Sequence, residues 1–469
     1  MKSENKNFLY NVIYQIFIFI VPLITTPYIS RVLGASNIGI YSYTYSIVYY
    51  FMLATMLGIN NYGARTIAKS KTKERMSYSF CSIYYLQLIC GVLMLVIYNL
   101  LILFVFKQYK LFFFVQNIYL VSAIMDINWL YFGLEKFKIT ISRNIIIKIC
   151  SLVFIFLFVK GENDLVIYTI IVSASTLLSQ LYLWLFVKKN IDFVKVKFID
   201  IIKNLKPCII LFIPSIAYGI YRVMDKTMLG YMSGTTVLGY YENAEKIINI
   251  PISFINALGT VMLPSASKVT ESTDELLNKI KSSFKLCLCF VMPMVFALVL
   301  IGNDFALIFF GDEFKDSGTI IQCLAITILF SAIANVIRTN YLIPKERDKI
   351  YVVSTVIGAI VNFIVNLSLI PHYGYVGACI GTILAEFLVM LFQFIVTKKE
   401  IKLGFIYGLL FNYAFKSIIM IGVMIVLGQF IDNILLKLIV QIVAGILVYF
   451  LLNYNFVMYD FFAFKKKKK

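Results

Sequence analysis

The chain has 469 residues, of which 61% are hydrophobic and only 14% charged, with a formal net charge of +19. Its mean hydropathy is +0.86. A water-soluble domain of this length cannot bury so large an apolar share, and disorder is excluded by the same composition. The basic excess does not mark a nucleic-acid binder, because the lysines and arginines fall in short runs between apolar stretches, the pattern of a multi-pass membrane protein.

Apolar runs of about 20 residues, the length that crosses a bilayer, divide the chain into about 14 helices. They are expected at 8–30, 38–62, 77–105, 111–133, 141–159, 165–187, 208–232, 237–266, 282–302, 318–340, 351–371, 375–397, 407–430 and 434–454. The first run is too long for a cleavable signal and lacks a small-residue cleavage site, so it reads as a retained span. With the N-terminus inside, the cytoplasmic segments hold Lys69, Lys71, Lys73, Arg75, Lys136, Lys138, Arg143, Lys188, Lys189, Lys345, Arg347, Lys349, Lys398, Lys399 and the lysine run 465–469. The external segments hold mainly Lys107, Lys110, Lys160, Lys315 and Lys437. This asymmetry places both termini in the cytoplasm. The longest external loop is expected over 303–317, and the single histidine, His372, in another short one. Between spans six and seven, Phe198, Ile201, Ile202 and Leu205 recur at helical spacing opposite Lys197, Asp200, Lys203 and Asn204. That is an amphipathic helix on the inner membrane surface.

An internal repeat runs through the chain. Gly34, Gly39 and Tyr41 reappear as Gly234, Gly239 and Tyr241, each between the first and second span of its half. Tyr131 and Glu135 after the fourth span match Tyr341 and Lys345 at an offset of 210. An even number of spans between copies gives both halves one orientation, a parallel repeat about an axis along the membrane normal. The expected domains are an N-terminal six-helix bundle (1–187), a cytoplasmic amphipathic linker (188–206), a C-terminal six-helix bundle (207–400), and two extra helices with a polybasic cytoplasmic tail (401–469).

A charge near the centre of a spanning helix costs about 2.5–3.5 kcal/mol on insertion scales, so each one needs a partner or a watery cavity. Span seven carries Arg222, Asp225 and Lys226, and span eight carries Glu242, Glu245 and Lys246. Asp126 lies in span four, Arg338 in span ten, Glu386 in span twelve, and Arg31 ends span one. Two hundred residues earlier the matching positions are Pro22, Thr25, Thr26, Ser42, Tyr45 and Ser46, so the cluster belongs to the second half alone. Pure structural need would appear in both halves, which marks the cluster as functional. Arginine forks and lysine point charges suit phosphate oxygens, which makes Arg222, Lys226, Arg31, Arg338 and Lys246 the candidate substrate-binding set. The acids Asp225, Glu242, Glu245 and Asp126 are the candidates for carrying a coupling proton or sodium ion.

Pro22, Pro27, Pro214, Pro251, Pro264 and Pro293 are positions for helix bends. Tyr41, Tyr43, Tyr45, Tyr49 and Tyr50 crowd span two, and interfacial belts account for most of the 32 tyrosines. The eight cysteines form no CxxC pair and read as small buried hydrophobes rather than a metal site. Neither a catalytic signature nor a loop large enough for one occurs, so no enzyme, cofactor or metal is expected.

The stretches PLITTPYISRVLGASNIGIYSYTYSIVYYF, GINNYGARTIAK, YFGLEKFKITISRNIIIK, RVMDKTMLGYMSGTTVLGYYENAEKI and YGYVGACIGTILAE resemble the polysaccharide-biosynthesis flippases (Wzx type) of the multidrug/oligosaccharidyl-lipid/polysaccharide exporter superfamily. The resemblance covers nearly the whole chain. It implies an all-α MATE-like fold of two six-helix bundles around a central cleft. It also implies transfer of undecaprenyl-pyrophosphate-linked glycan between leaflets for O-antigen, capsule or exopolysaccharide assembly. The implied partners are the lipid-linked glycan, membrane lipids and polysaccharide polymerase machinery. The alternative within the same fold is a MATE-type multidrug exporter, whose cationic cargo would favour an acidic or aromatic cavity.

Overall fold

The computed structural model describes residues 2–267, 273–398, 400–401 and 403–454. The lysine run 465–469 and Lys399 lie outside the described residues. Among the described residues sixteen α-helices follow one another: α1 (Lys2–Met56), α2 (Ile59–Ala68), α3 (Lys73–Phe104), α4 (Lys110–Ile124), α5 (Asn128–Gly133), α6 (Phe137–Phe158), α7 (Leu165–Trp184), α8 (Phe198–Lys203), α9 (Leu205–Met232), α10 (Thr235–Ser267), α11 (Thr273–Phe310), α12 (Lys315–Ile337), α13 (Asp348–Tyr373), α14 (Tyr375–Lys398), α15 (Phe405–Gly428) and α16 (Ile434–Leu452). Among the described residues no strand occurs, and ten segments are long and apolar enough to cross a membrane. The remaining expected spans are helical as well, on α1 with α2, on α9 and on α10. The protein is an all-α, multi-pass membrane protein.

Lipid dictates this. No water is present to satisfy a bare backbone, so each crossing closes its own hydrogen bonds. Hydroxyls inside the helices are handled the same way: Thr44, Thr55, Thr169 and Ser173 each donate to the carbonyl four residues back at 2.7–2.9 Å. Helix starts are capped by side chains. The Arg75 N–H donates to Thr72 Oγ1 (3.3 Å) at α3, and the Leu436 N–H to Asn433 Oδ1 (3.0 Å) at α16.

The chain forms two compact units, Met1–Gly239 and Tyr240–Lys469. In the first, one core gathers Ile59, Phe80, Ile83, Trp129, Leu130 and Tyr131, and a second gathers Val48, Tyr98, Ile102, Phe113 and Leu120. In the second unit, Phe284 and Leu288 of α11 and Ile320, Ile321 and Ile328 of α12 are buried, and these two helices pack on each other. Helices α15 and α16 pair with each other and lie on α11. Their close approach needs glycine: a Cβ on Gly445 would come within 2.8 Å of Met424 Sδ, and one on Gly428 within 2.3 Å of Gln441 Nε2. Leu93, Leu103, Phe104, Leu157, Phe411 and Leu451 are exposed on their helices, the apolar skin that a bilayer covers.

The repeat is visible in the backbone. Gly34 interrupts α1 with φ 74° and ψ 170°, and Gly234 separates α9 from α10 with φ 92°. Both angles lie where a Cβ is strongly disfavoured. Gly39 and Gly239 then serve a reciprocal contact. A Cβ on Gly39 would lie 1.7 Å from the Thr235 oxygen, and one on Gly239 would lie 2.0 Å from the Ala35 oxygen. Ala35 and Thr235 are themselves 200 positions apart. Near the other end of each half, Glu135 and Glu346 both have φ 55°. Tyr131 donates to the Leu183 carbonyl (2.6 Å) and Tyr341 to the Glu400 carboxylate, so each tyrosine ties the fourth span to the end of the sixth.

Several expectations are corrected. Span 111–133 is not continuous: α4 stops at Ile124 and α5 starts at Asn128. The expected loop at 303–317 is mostly helix, since α11 runs to Phe310 and α12 starts at Lys315. His372 sits in the last turn of α13. Helix α1 bends at Gly34 and keeps helical dihedrals through Pro22 and Pro27, because a proline in lipid loses one bond while a left-handed glycine redirects the chain. The tyrosines of span two do not form a belt. Tyr41, Tyr45, Tyr119 and Tyr168 pack on one another at centroid separations of 5.0–6.0 Å, with 2.6 Å between the Tyr41 and Tyr119 hydroxyls. The amphipathic helix is only α8, and Ile201 packs into the bundle while Phe198 and Ile202 stay exposed.

Candidate functional site

The charges of span seven ride on α9, which lies along the second half of α1. Leu53 fills the space left by Gly219, and Tyr43 that left by Gly230; a Cβ at either glycine would come within 2.4 Å of the neighbouring ring or methyl. Between these contacts Thr227 Oγ1 donates to Ser46 Oγ (2.9 Å) and stands 3.3 Å from the Tyr50 hydroxyl. Val223, Met224, Met228 and Leu229 are buried on the same helix. The seam fixes the rotation of α9 and so sorts its charges. Asp225 is on the buried side at 8% exposure, Lys226 is half-buried, and Arg222 is exposed. Arg31, one turn before the Gly34 bend of α1, is also exposed. The expected trio is thus divided: its carboxylate faces protein, and one of its two cations faces outward from the unit.

Asp126 occupies the gap between α4 and α5. Its Oδ1 accepts from the Asn128 backbone N–H (2.9 Å) and from Asn128 Nδ2 (2.7 Å). The broken backbone is stitched by a residue that sequence reasoning passed over, Gln87 of α3. The two N–H groups of its Nε2 donate to the carbonyls of Ala123 (2.8 Å) and Asp126 (2.8 Å), with the Ile124 carbonyl (3.2 Å) sharing one of them, and its Oε1 accepts from Trp129 Nε1 (3.2 Å). Arg143, expected on the cytoplasmic surface, is instead 3% exposed. It donates to Asn128 Oδ1 (3.1 Å) and Asn144 Oδ1 (2.8 Å), while Asn128 also reaches Gln180 Oε1 (3.3 Å). An arginine buried in a bundle stays charged, so this polar network holds it by dipoles. The signal for Gln87 was a lone carboxamide inside an apolar run; nothing local distinguished Arg143 from its exposed neighbours.

In the second unit, Lys246 lies 3.8 Å from the Glu242 carboxylate, one turn away on α10, and donates to Asn243 Oδ1 (3.3 Å). Glu245 is half-buried on the same helix. Arg338 opens a π-helical turn, Arg338–Leu342, at the end of α12. Such turns expose backbone groups and recur at functional sites. The Arg338 guanidinium lies 5.1 Å from the Tyr351 ring centroid and donates to Asn256 Oδ1 (3.4 Å), which also accepts from Asn335 Nδ2 (2.7 Å). Glu386 accepts from Ser331 (2.6 Å). Of the expected set, Arg31, Asp126, Arg222, Asp225 and Lys226 therefore belong to the first unit, and Glu242, Glu245, Lys246 and Arg338 to the second. Among the described residues no cluster of His, Cys, Asp and Glu could hold a metal ion.

Comparison with known proteins supplies the context. A protein of Shigella dysenteriae named "Putative O-antigen transporter" is 24% identical over 379 residues, 80% of this chain and 95% of its own length. Among solved structures, a lipid II flippase MurJ in an inward closed conformation matches with TM-score 0.78 and 18% identity, over 96% of this chain and 99% of that one. An inward-facing MATE family multidrug resistance transporter of the MOP superfamily matches with TM-score 0.60 and 13% identity, over 84% and 95%. The fold is thus the one shared by MurJ and MATE transporters. The profile of the polysaccharide biosynthesis protein family matches residues 5–270, and this chain belongs to that family.

Proposed function

We propose that this protein flips undecaprenyl-pyrophosphate-linked oligosaccharide units across the cytoplasmic membrane for O-antigen, capsule or exopolysaccharide assembly. The observation that carries this reading is the similarity, over 95% of the relative's length, to a protein named for O-antigen transport. The chemistry agrees. A pyrophosphate crossing hydrocarbon bare would lose its hydration at prohibitive cost. Arg222, Lys226, Arg31, Arg338 and Lys246 replace that hydration with fixed cations in a central cavity while the lipid tail stays in the bilayer. The two halves, 1–187 and 207–400 joined by the linker 188–206, rock to expose the cavity to one leaflet and then the other. Both termini face the cytoplasm, as the distribution of lysine and arginine supports.

The test is a strain lacking the gene. Lipid-linked glycan should accumulate on the cytoplasmic leaflet, and the intact gene should clear it. Arg222→Ala and Lys226→Ala should lower surface glycan display at least tenfold at unchanged membrane protein level. Normal display in both would remove the cationic cavity. Drug resistance conferred without any effect on glycan would favour a multidrug exporter. Coupling runs through Asp225, Glu242, Glu245 or Asp126, so the neutral amide at one of these should shift the pH or sodium dependence of transport into vesicles. An unchanged dependence in all four would remove them.

A further inference from the structure

A lysine sits in the middle of span five. Lys148 comes eleven residues after Phe137, about 16 Å along the 22-residue helix α6, at the depth of the bilayer centre. Two contacts fix the rotation of this helix. At its cytoplasmic end the buried Arg143 donates through Nε (3.2 Å) and Nη2 (2.8 Å) to Asn144 Oδ1, and it reaches Asn128 of α5 and Gln180 of α7. At the other end Tyr28 of α1 donates to the Val159 carbonyl (2.7 Å) and packs on Phe156, 4.5 Å between ring centroids. Held this way, α6 turns Ile146, Ile149, Val153 and Leu157 outward, all of them exposed. At about 100° per residue, Lys148 lies about 145° around the helix from the middle of that lipid-facing stripe. It shares its side with Asn144, one turn earlier, and Ser151, and all three are half-buried there.

The two cations of α6 differ in their surroundings. Arg143 is within electrostatic reach of an acid, Asp126. Among the described residues no acid and no hydrogen bond answers Lys148, and burial alone acts on its ammonium. Helices α6 and α7 are antiparallel with Arg143 facing Gln180, so Lys148 stands level with Ser175 and Thr176. Those hydroxyls donate to their own helix, to Ile171 (2.6 Å) and Val172 (3.0 Å), and supply no counter-charge. The repeat shows that packing does not call for this side chain. At the offset of 210 that relates Tyr131 to Tyr341, Lys148 corresponds to Gly358 of α13. A Cβ there would lie 2.6 Å from Val389 Cγ2 of α14. The second half closes this seam with a glycine, whereas the first half carries a cation on the same face, and α6 pairs more loosely with α7 than α13 does with α14. An ionisable side chain at mid-bilayer without a partner marks a path for charge.

We propose that Lys148 is a binding residue for the pyrophosphate of the cargo at the midpoint of its passage, with Asn144 beside it on the same face of α6. This rests on the flippase reading and adds to its cations one from the centre of the first bundle. The arriving anion completes the ion pair that the protein lacks, at the depth where bulk hydration is farthest away. Native mass spectrometry of the purified full chain measures the preference for polyprenyl pyrophosphate over polyprenol. At least tenfold preference is expected in the wild type. Lys148→Met and Lys148→Gln should each cut it at least threefold, and Lys148→Arg should keep it within twofold. Lys138→Met, exposed near the start of the same helix, should leave it intact. Because Lys148→Met removes an unpaired charge, its midpoint of thermal unfolding should equal or exceed that of the wild type; a lowered midpoint with the preference intact would assign the lysine to packing. A wild type indifferent to pyrophosphate removes the flippase reading and this site with it. A wild-type preference that persists unchanged in Lys148→Met and Lys148→Gln overturns this site alone.

Discussion

Gln87 shows how much a single carboxamide holds in this bundle. Its two N–H groups serve three carbonyls at the α4–α5 break, one hydrogen being shared, and its oxygen accepts the Trp129 indole N–H, all away from water. Its own exposure is 0%. Each buried group left unpaired costs about 1–3 kcal/mol. Gln87→Leu should therefore destabilise the first unit by about 3 kcal/mol or more, read as a lowered midpoint of thermal unfolding in detergent. An unaltered midpoint would mean that water takes over the stitches. At this scale the sequence is only partly legible. Residues 123–129, AIMDINW, contain neither glycine nor proline to announce a break. The break exists because α3 offers a donor from 36 to 39 positions away. Arg143 was likewise misplaced, because its burial depends on Asn128 and Gln180 from other helices.

Among elements, the spanning helices were the most legible. Expected 351–371 and 375–397 became α13 (Asp348–Tyr373) and α14 (Tyr375–Lys398), because lipid permits few alternatives to a helix of this length. The linker helix α8 was legible in its period and not in its docking. Tyr78 donates to Asp200 Oδ2 (2.6 Å) and Lys203 to Oδ1 (2.7 Å). These bonds, Lys203 first, hold the Asp200 carboxyl below its ordinary value of 3.8. The same pairing raises Lys203 above 10.5. A depressed carboxyl contributes fully above its ordinary value and loses that contribution as pH falls through the depressed one; a raised ammonium contributes fully below its ordinary value and loses it as pH rises through the raised one. Docking of α8 should accordingly hold between about pH 4 and 10 and loosen on acidification below that window. Trp184 stacks on Phe193 of the adjoining segment, 6.5 Å between centroids, so tryptophan emission should report the loosening. Asp200→Asn should erase the acid transition, and persistence of an identical transition in that variant would assign it elsewhere.

For the whole molecule, the charges could be found by composition, whereas their sorting between two units and between exposed and buried faces required the packed helices. Asp225 and Arg222 are three residues apart in sequence, yet the seam with α1 sends one inward and the other outward. The rocking proposed for transport bears on the contact at Gly39 and Gly239. Ser36 Oγ and Thr235 Oγ1 stand 3.5 Å apart beside it. A Ser36→Cys/Thr235→Cys pair should therefore cross-link on mild oxidation, arrest glycan display, and recover with reductant. Full activity in the cross-linked state would show that this contact never opens.

That contact also constrains substitution. Residue 39 rests on residue 235 while residue 239 rests on residue 35, the reciprocity that a two-fold axis imposes on paired identical subunits. In a dimer of identical halves one glycine would make this touch twice, whereas in a single chain a substitution at residue 39 leaves residue 239 untouched, so each of the two glycines has to be retained separately.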